Sequence, residues 1–104
     1  MIINGKELSF NILKKSDAAN LKKALEEMER KESEIKKIDE GDLISVLEAT
    51  DDLFRGFFIT ATGVDVVGEC DDIAEMTKMY DEFLKEVAKQ QKSFKVPVVP
   101  KGKK

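Results

Sequence analysis

The chain opens with MIINGKELSFNI (residues 1–12), in which an Asn-Gly pair separates two short apolar runs. Asn-Gly strongly favours a two-residue hairpin turn, because both residues tolerate the positive φ angles that such a turn requires. After the turn, every second residue is apolar and shares one strand face, namely Leu8, Phe10 and Ile12. We therefore expect a β-hairpin over 1–13 whose apolar face covers other elements, since two isolated strands are marginally stable in water.

Three amphipathic helical patterns follow the hairpin, each with apolar residues at intervals of three or four. The predicted helices span about 17–39, 42–60 and 71–91. The predicted fold is mainly α with a small N-terminal β-hairpin (α+β), forming a single domain over 1–92. The remaining segment, 93–104, contains two prolines and several lysines and is predicted to be a flexible basic tail.

The first helix carries a heptad-like apolar seam. Leu21, Met28 and Ile35 are spaced by seven residues, which places them on one side of a helix. Such a seam serves equally well as one wall of a helical bundle and as a surface for self-association. The spacing alone leaves both interpretations open.

Aromatic residues cluster near the end of the second helix, at Phe54, Phe57 and Phe58. Aromatic side chains at helical spacing usually face a core, and that is the expectation for most of them. The alternative is that at least one grips a partner or a second copy of the chain. The candidate partner or oligomer contacts are therefore Leu21, Met28, Ile35, Phe54, Phe57 and Phe58.

The composition offers little for catalysis. The 104 residues include no histidine and a single cysteine, Cys70, and they contain neither a phosphate-binding loop nor a metal-ligand motif. Cys70 is expected to be a packing residue at a helix start, and Asp71 or Asp72 to cap the third helix. We therefore expect no enzymatic activity, no cofactor and no bound metal.

Charge and hydropathy narrow the expected partners. Lysine and arginine number 18 against 21 acidic residues, a net charge of -3, which is unlike the basic surface of a nucleic-acid-binding protein. No apolar run approaches the roughly 20 residues that a membrane span needs. These features predict a cytoplasmic protein that binds neither nucleic acid nor membrane.

The order of these features resembles a family of small proteins from tailed phages and prophages of Gram-positive bacteria. The resemblance covers about 1–94 and rests on the hairpin motif INGKELSFNI, the aromatic stretch LFRGFF, a glycine-bearing loop, the cysteine at a helix start and the helix end EVAKQQK. Where that family has a glycine after the second aromatic, this chain has Ile59. The opening is also similar to that of the tail-assembly chaperones of long-tailed phages.

The resemblance implies a role in virion morphogenesis in the cytoplasm of the bacterial host. It implies a chaperone that binds the tape-measure or tail-tube protein until the tail assembles, with no catalytic residues. A homo-oligomer is a further expectation. The alternative function is that of a small phage-encoded inhibitor or regulator, which binds a host protein instead.

Overall fold

The computed structural model describes residues 1–94, so the predicted tail lies outside the described residues from Lys95 onward. Two short strands precede three long helices, in the order β1 (Ile2–Ile3), β2 (Lys6–Glu7), α1 (Lys15–Ile35), α2 (Leu43–Thr62) and α3 (Ile73–Lys92). The predicted fold class, mainly α with an N-terminal hairpin followed by three helices, is confirmed.

The hairpin forms at the Asn-Gly turn but is shorter than predicted. Asn4 and Gly5 both have positive φ, 53° and 73°, and β1 pairs antiparallel with β2 so that Ile3 lies opposite Lys6. The second strand ends at Glu7, and the last backbone pairing beside it is that of Leu8, whose N–H donates to the Met1 carbonyl at 2.7 Å. The prediction of a strand continuing to residue 13 was therefore wrong.

The segment after the hairpin is held by a side chain of α3 instead of by a strand. The backbone N–H of Ile12 donates to Gln90 Oε1 at 2.8 Å, and Gln90 Nε2 donates to the Phe10 carbonyl at 3.0 Å. The side-chain amide of Gln90 thus provides both the acceptor and the donor that the backbone of a neighbouring strand would provide. The predicted alternation persists without the strand, because Leu8 and Phe10 are buried.

The first helix begins and ends earlier than the predicted 17–39. It starts at Lys15 with no side-chain cap, since Asp17 accepts from the backbone N–H of Asn11 instead. After Ile35 the backbone closes into a tighter turn, in which Lys37 and Ile38 donate to carbonyls three residues back. This turn satisfies carbonyls at the helix end and stops the helix before the predicted residue 39.

The other two helices begin at capping aspartates. Asp42 accepts from the N–H of Ser45 at 3.2 Å and starts α2, and Gly63 ends it in the left-handed conformation at φ 77°. Asp72 accepts from the N–H of Ala74 at 2.8 Å and starts α3, as one of the two predicted alternatives. Both helices begin and end within about two residues of the prediction.

The core is built around aromatic side chains of α2 and α3. The ring of Phe57 lies 5.4 Å from Phe58, 5.0 Å from Tyr80 and 5.8 Å from Phe83, all in edge-to-face geometry. Phe10 closes this cluster from the N-terminal segment, 5.2 Å from Phe83. The hairpin is therefore part of the core and not an appendage.

The loop between α2 and α3 is fastened back onto α2. Arg55 donates to the Gly68 carbonyl at 2.7 Å and forms ion pairs with Asp51 at 3.1 Å and Asp65 at 3.4 Å. Asn4 ties the same loop to the hairpin by donating to the Val66 carbonyl at 2.8 Å. The loop thus returns the chain toward the start of α2, and α3 then follows α2 in the same direction.

Candidate protein-binding surface

Most of the predicted contact residues lie in the core of the single chain. The packing favours the core alternative for five of them, which are buried: Leu21, Met28, Phe54, Phe57 and Phe58. Ile35 differs, because it is only partly buried and packs at the edge of the core. Of the predicted contact set, Ile35 is the residue that retains appreciable free surface.

Helices α1 and α2 extend past this core as a two-helix arm, formed by residues 29–52. The two helices are antiparallel here, as shown farther along by the contact between Thr60 and Glu27. No residue between 29 and 52 is buried, since α3 begins only at Ile73 and covers the other half of α2.

The start of α2 exposes three large apolar side chains, which we name the arm patch: Leu43, Ile44 and Leu47. Their exposed fractions are 63%, 69% and 42%. At 100° per residue, Leu43 and Leu47 point within about 60° of the buried Phe54 and Phe58. The apolar stripe of α2 is therefore continuous, but α3 covers only its second half.

A groove of about 490 Å³ opens between α1 and α3, with α2 as its floor; we name it the inter-helix groove. Within residues 1–94, no Cα atom of α1 comes within 8 Å of one in α3, so the two walls stand apart. Apolar floor and wall are provided by Leu25, Met28, Leu53, Phe54 and Tyr80. The rim carries three carboxylates, those of Glu29, Glu32 and Asp81.

The acidic rim acts on the one phenol in the groove. Burial of Tyr80 raises the pKa of its hydroxyl above the ordinary value of 10.0, and the charges of Glu32 and Asp81 raise it further. All three contributions disfavour a negative charge on the Tyr80 oxygen. The groove therefore combines an apolar floor with a negative potential.

A second groove, of about 600 Å³, lies between α1 and α2 on another side of the arm. Ile35, Ile38 and Ile59 provide its apolar surface, while Lys31 lies across Gly56, where an added Cβ would sit 2.8 Å from Nζ. Its charged residues are of both signs, because Lys31 and Arg55 line it together with Glu34 and Asp52. This surface selects no particular partner charge.

The residue types that could support catalysis or bind a metal occupy structural positions. Cys70 is half-buried beside the start of α3, with Sγ 3.7 Å from the Asp72 carbonyl. Across residues 1–94, no three His, Cys, Asp or Glu side chains gather as a metal site. In the same range, no helix has an apolar stretch that would reach across a membrane.

The arm patch and the acidic rim were both missed as sites in the sequence. Leu43 and Leu47 belong to the predicted stripe of α2, but the sequence does not show where α3 stops covering it. The heptad-like spacing of Leu43, Leu47, Phe54 and Phe58 was the available signal for one continuous stripe. In the sequence, the rim carboxylates look like residues of ordinary solvated helix faces. Only the structure shows that they line the two walls of one groove.

Comparison with models of known protein families, with curated proteins and with solved structures finds no match. The geometry of these surfaces is therefore the basis for proposing a function.

Proposed function

We propose that this protein binds a helical segment of another protein, as a phage tail-assembly chaperone that engages the tape-measure or tail-tube protein in the bacterial cytoplasm. The observation that carries the proposal is the arm patch, since Leu43, Ile44 and Leu47 are large apolar side chains that the chain's own core leaves uncovered. Clusters of this kind on a small protein mark contact surfaces.

The geometry suits recognition of a helix. The arm patch continues the stripe that α3 occupies farther along α2, so a partner helix placed there would make the same kind of contact that α3 makes. Burying exposed apolar surface contributes roughly 25 cal/mol per Å², which gives the arm patch a useful but moderate contribution. Moderate affinity suits a chaperone that has to release its client when the tail forms.

A tagged pull-down from phage-producing cells, followed by mass spectrometry, tests the proposal. We expect tape-measure or tail-tube protein as the main partner. A host protein as the main partner, with tail proteins absent, would contradict the proposal and establish the inhibitor or regulator alternative. Recovery of only further copies of this chain would instead assign the arm patch to self-association.

A further inference from the structure

We propose that the inter-helix groove binds an amphipathic helix with an apolar stripe flanked on both sides by lysine or arginine. This inference rests on the proposed function and deepens it, because it names the chemistry of the segment that the partner presents. The open packing of α1 and α3 and the negative charge on their facing walls support it.

The packing leaves an open groove between α1 and α3. Both α1 and α3 lie on α2, yet no Cα atom of one is within 8 Å of the other in residues 1–94. The floor of the groove is made by core side chains, Leu53 and Phe54 from α2 and Met28 from α1, which are at most 9% exposed. The apolar surface left free lies on the walls, where Leu25 is 40% exposed and Tyr80 is half-buried. A helix laid over the groove would contact Leu25 and Tyr80 with its apolar stripe, and its flanks would lie along the two acidic walls.

The charge of the groove specifies the flanks of that helix. Glu29 and Glu32 stand on the α1 wall and Asp81 on the α3 wall, with no lysine or arginine among the lining residues. Within 1–94 none of the three carboxylates forms an ion pair with a cation of this chain. Because both walls are acidic, cations on both flanks of the bound helix would meet an opposite charge.

The raised pKa of Tyr80 agrees with this charge distribution, although burial of the phenol is its largest cause. Glu32 and Asp81 come from opposite walls, and both raise that pKa. The negative potential of the two carboxylates therefore acts inside the groove and not only outside it. A cationic side chain from a bound helix would offset this negative potential.

Two synthetic helical peptides of about five turns provide the direct probe. Both carry the same leucine stripe, one with lysine flanks and the other with glutamate flanks, and their binding to the full-length protein is measured by fluorescence anisotropy. We expect the lysine peptide to bind at least about tenfold more tightly at low salt, and the difference to shrink as salt is added. Equal affinity of the two peptides would overturn the proposal.

The variant E29Q/E32Q/D81N locates the site. We expect it to weaken binding of the lysine peptide about tenfold, since three exposed charge contacts are lost. The matched control E26Q/E40Q/E69Q removes the same net charge from exposed carboxylates outside the groove and should leave binding within about twofold. Equal weakening in both triple variants would show a diffuse charge effect and contradict the groove assignment.

The two proposals fail separately in these experiments. If the pull-down returns a tail protein but the lysine peptide does not bind, the groove assignment is wrong and the proposed function stands. If the peptide binds in the groove but no tail protein is recovered, the groove chemistry stands and the proposed function is wrong. Carbodiimide cross-links from the chain's own lysines in 95–104 to Glu29, Glu32 or Asp81 would identify that segment as the occupant and overturn the proposal.

Discussion

Gly63 is a residue at which the backbone conformation, and not the space around it, limits substitution. It ends α2 at φ 77°, and an added Cβ would meet no atom within 4 Å, so any cost of a side chain lies in the backbone alone. We expect Gly63→Ala to lower the free energy of unfolding by about 1 kcal/mol, measured by urea denaturation. Gly41→Ala is the matched control; its backbone has no positive φ and its nearest side-chain atom is 3.8 Å away. A comparable loss in both variants would contradict the argument.

Tyr80 predicts how stability depends on alkaline pH. Its pKa in the folded protein is raised by burial and by Glu32 and Asp81, so folding favours the neutral phenol. The unfolded chain then loses this proton first, at its ordinary pKa of 10.0. The contribution of Tyr80 to stability is therefore complete below that pKa, and is lost as the pH rises through the higher folded pKa.

The variant Tyr80→Phe isolates this effect, since it keeps the aromatic ring and removes the titrating group. We expect the wild type to lose more stability than the variant between about pH 8 and about pH 10.5, in urea denaturation at each pH. Lysines titrate alike in both proteins, so the difference reports the phenol. Parallel profiles of unfolding free energy against pH would show that the folded state does not disfavour the ionised phenol, which would contradict the prediction.

At the scale of elements, one side chain of α3 makes two hydrogen bonds to the segment after the hairpin. Gln90 accepts from the N–H of Ile12 and donates to the carbonyl of Phe10. We expect Gln90→Ala to lower the free energy of unfolding by about 1–3 kcal/mol, because it leaves partly buried backbone groups without partners. Amide hydrogen exchange at Ile12 should accelerate in the same variant.

Gln91→Ala is the matched control for that substitution, since Gln91 is exposed and its side chain makes no hydrogen bond within 1–94. We expect its stability to stay within about 0.5 kcal/mol of wild type. If Gln90→Ala loses no more stability than the control, the two hydrogen bonds of Gln90 are not what holds the segment after the hairpin against α3.

The elements themselves are predictable from the sequence to different degrees. The Asn-Gly turn and the apolar periods of the helices are local signals, and they identify the hairpin and all three helices. The length of the second strand is not a local property, because the residues after it are bonded to Gln90 of α3 and not to another strand. The end of α1 depends on a turn after Ile35, where several helix-forming residues continue and give no stop signal.

At the scale of the whole molecule, the aromatic core holds α2, α3 and the hairpin together. Phe58 is fully buried, and its ring lies 5.6 Å from that of Phe83. We expect Phe58→Ala to lower the free energy of unfolding by about 3–5 kcal/mol, from lost burial and the cavity left behind. Calorimetry would give the midpoint, and a shift of only a degree or two would contradict the central place of this ring.

The candidate site could not be predicted because it depends on relative placement. The residues of the stripe are visible in the sequence, including Leu43, Leu47, Phe54 and Phe58. Which of them become core and which stay exposed is decided by the loop that Arg55 fastens, since that loop sets where α3 begins. The sequence therefore indicates an apolar face without showing that half of it remains open.

The central claim is that the arm patch serves a partner and not the fold. The most direct measurement is quantitative capture of tail protein by the tagged variant L43Q/I44Q/L47Q, in which glutamine preserves helix propensity, against wild type. The control is I2Q/L13Q, which replaces exposed apolar side chains at the other end of the chain. We predict at least about a tenfold loss of captured partner for the arm variant alone, with unfolding midpoints unchanged. Undiminished capture, or a variant that no longer folds, would contradict the account.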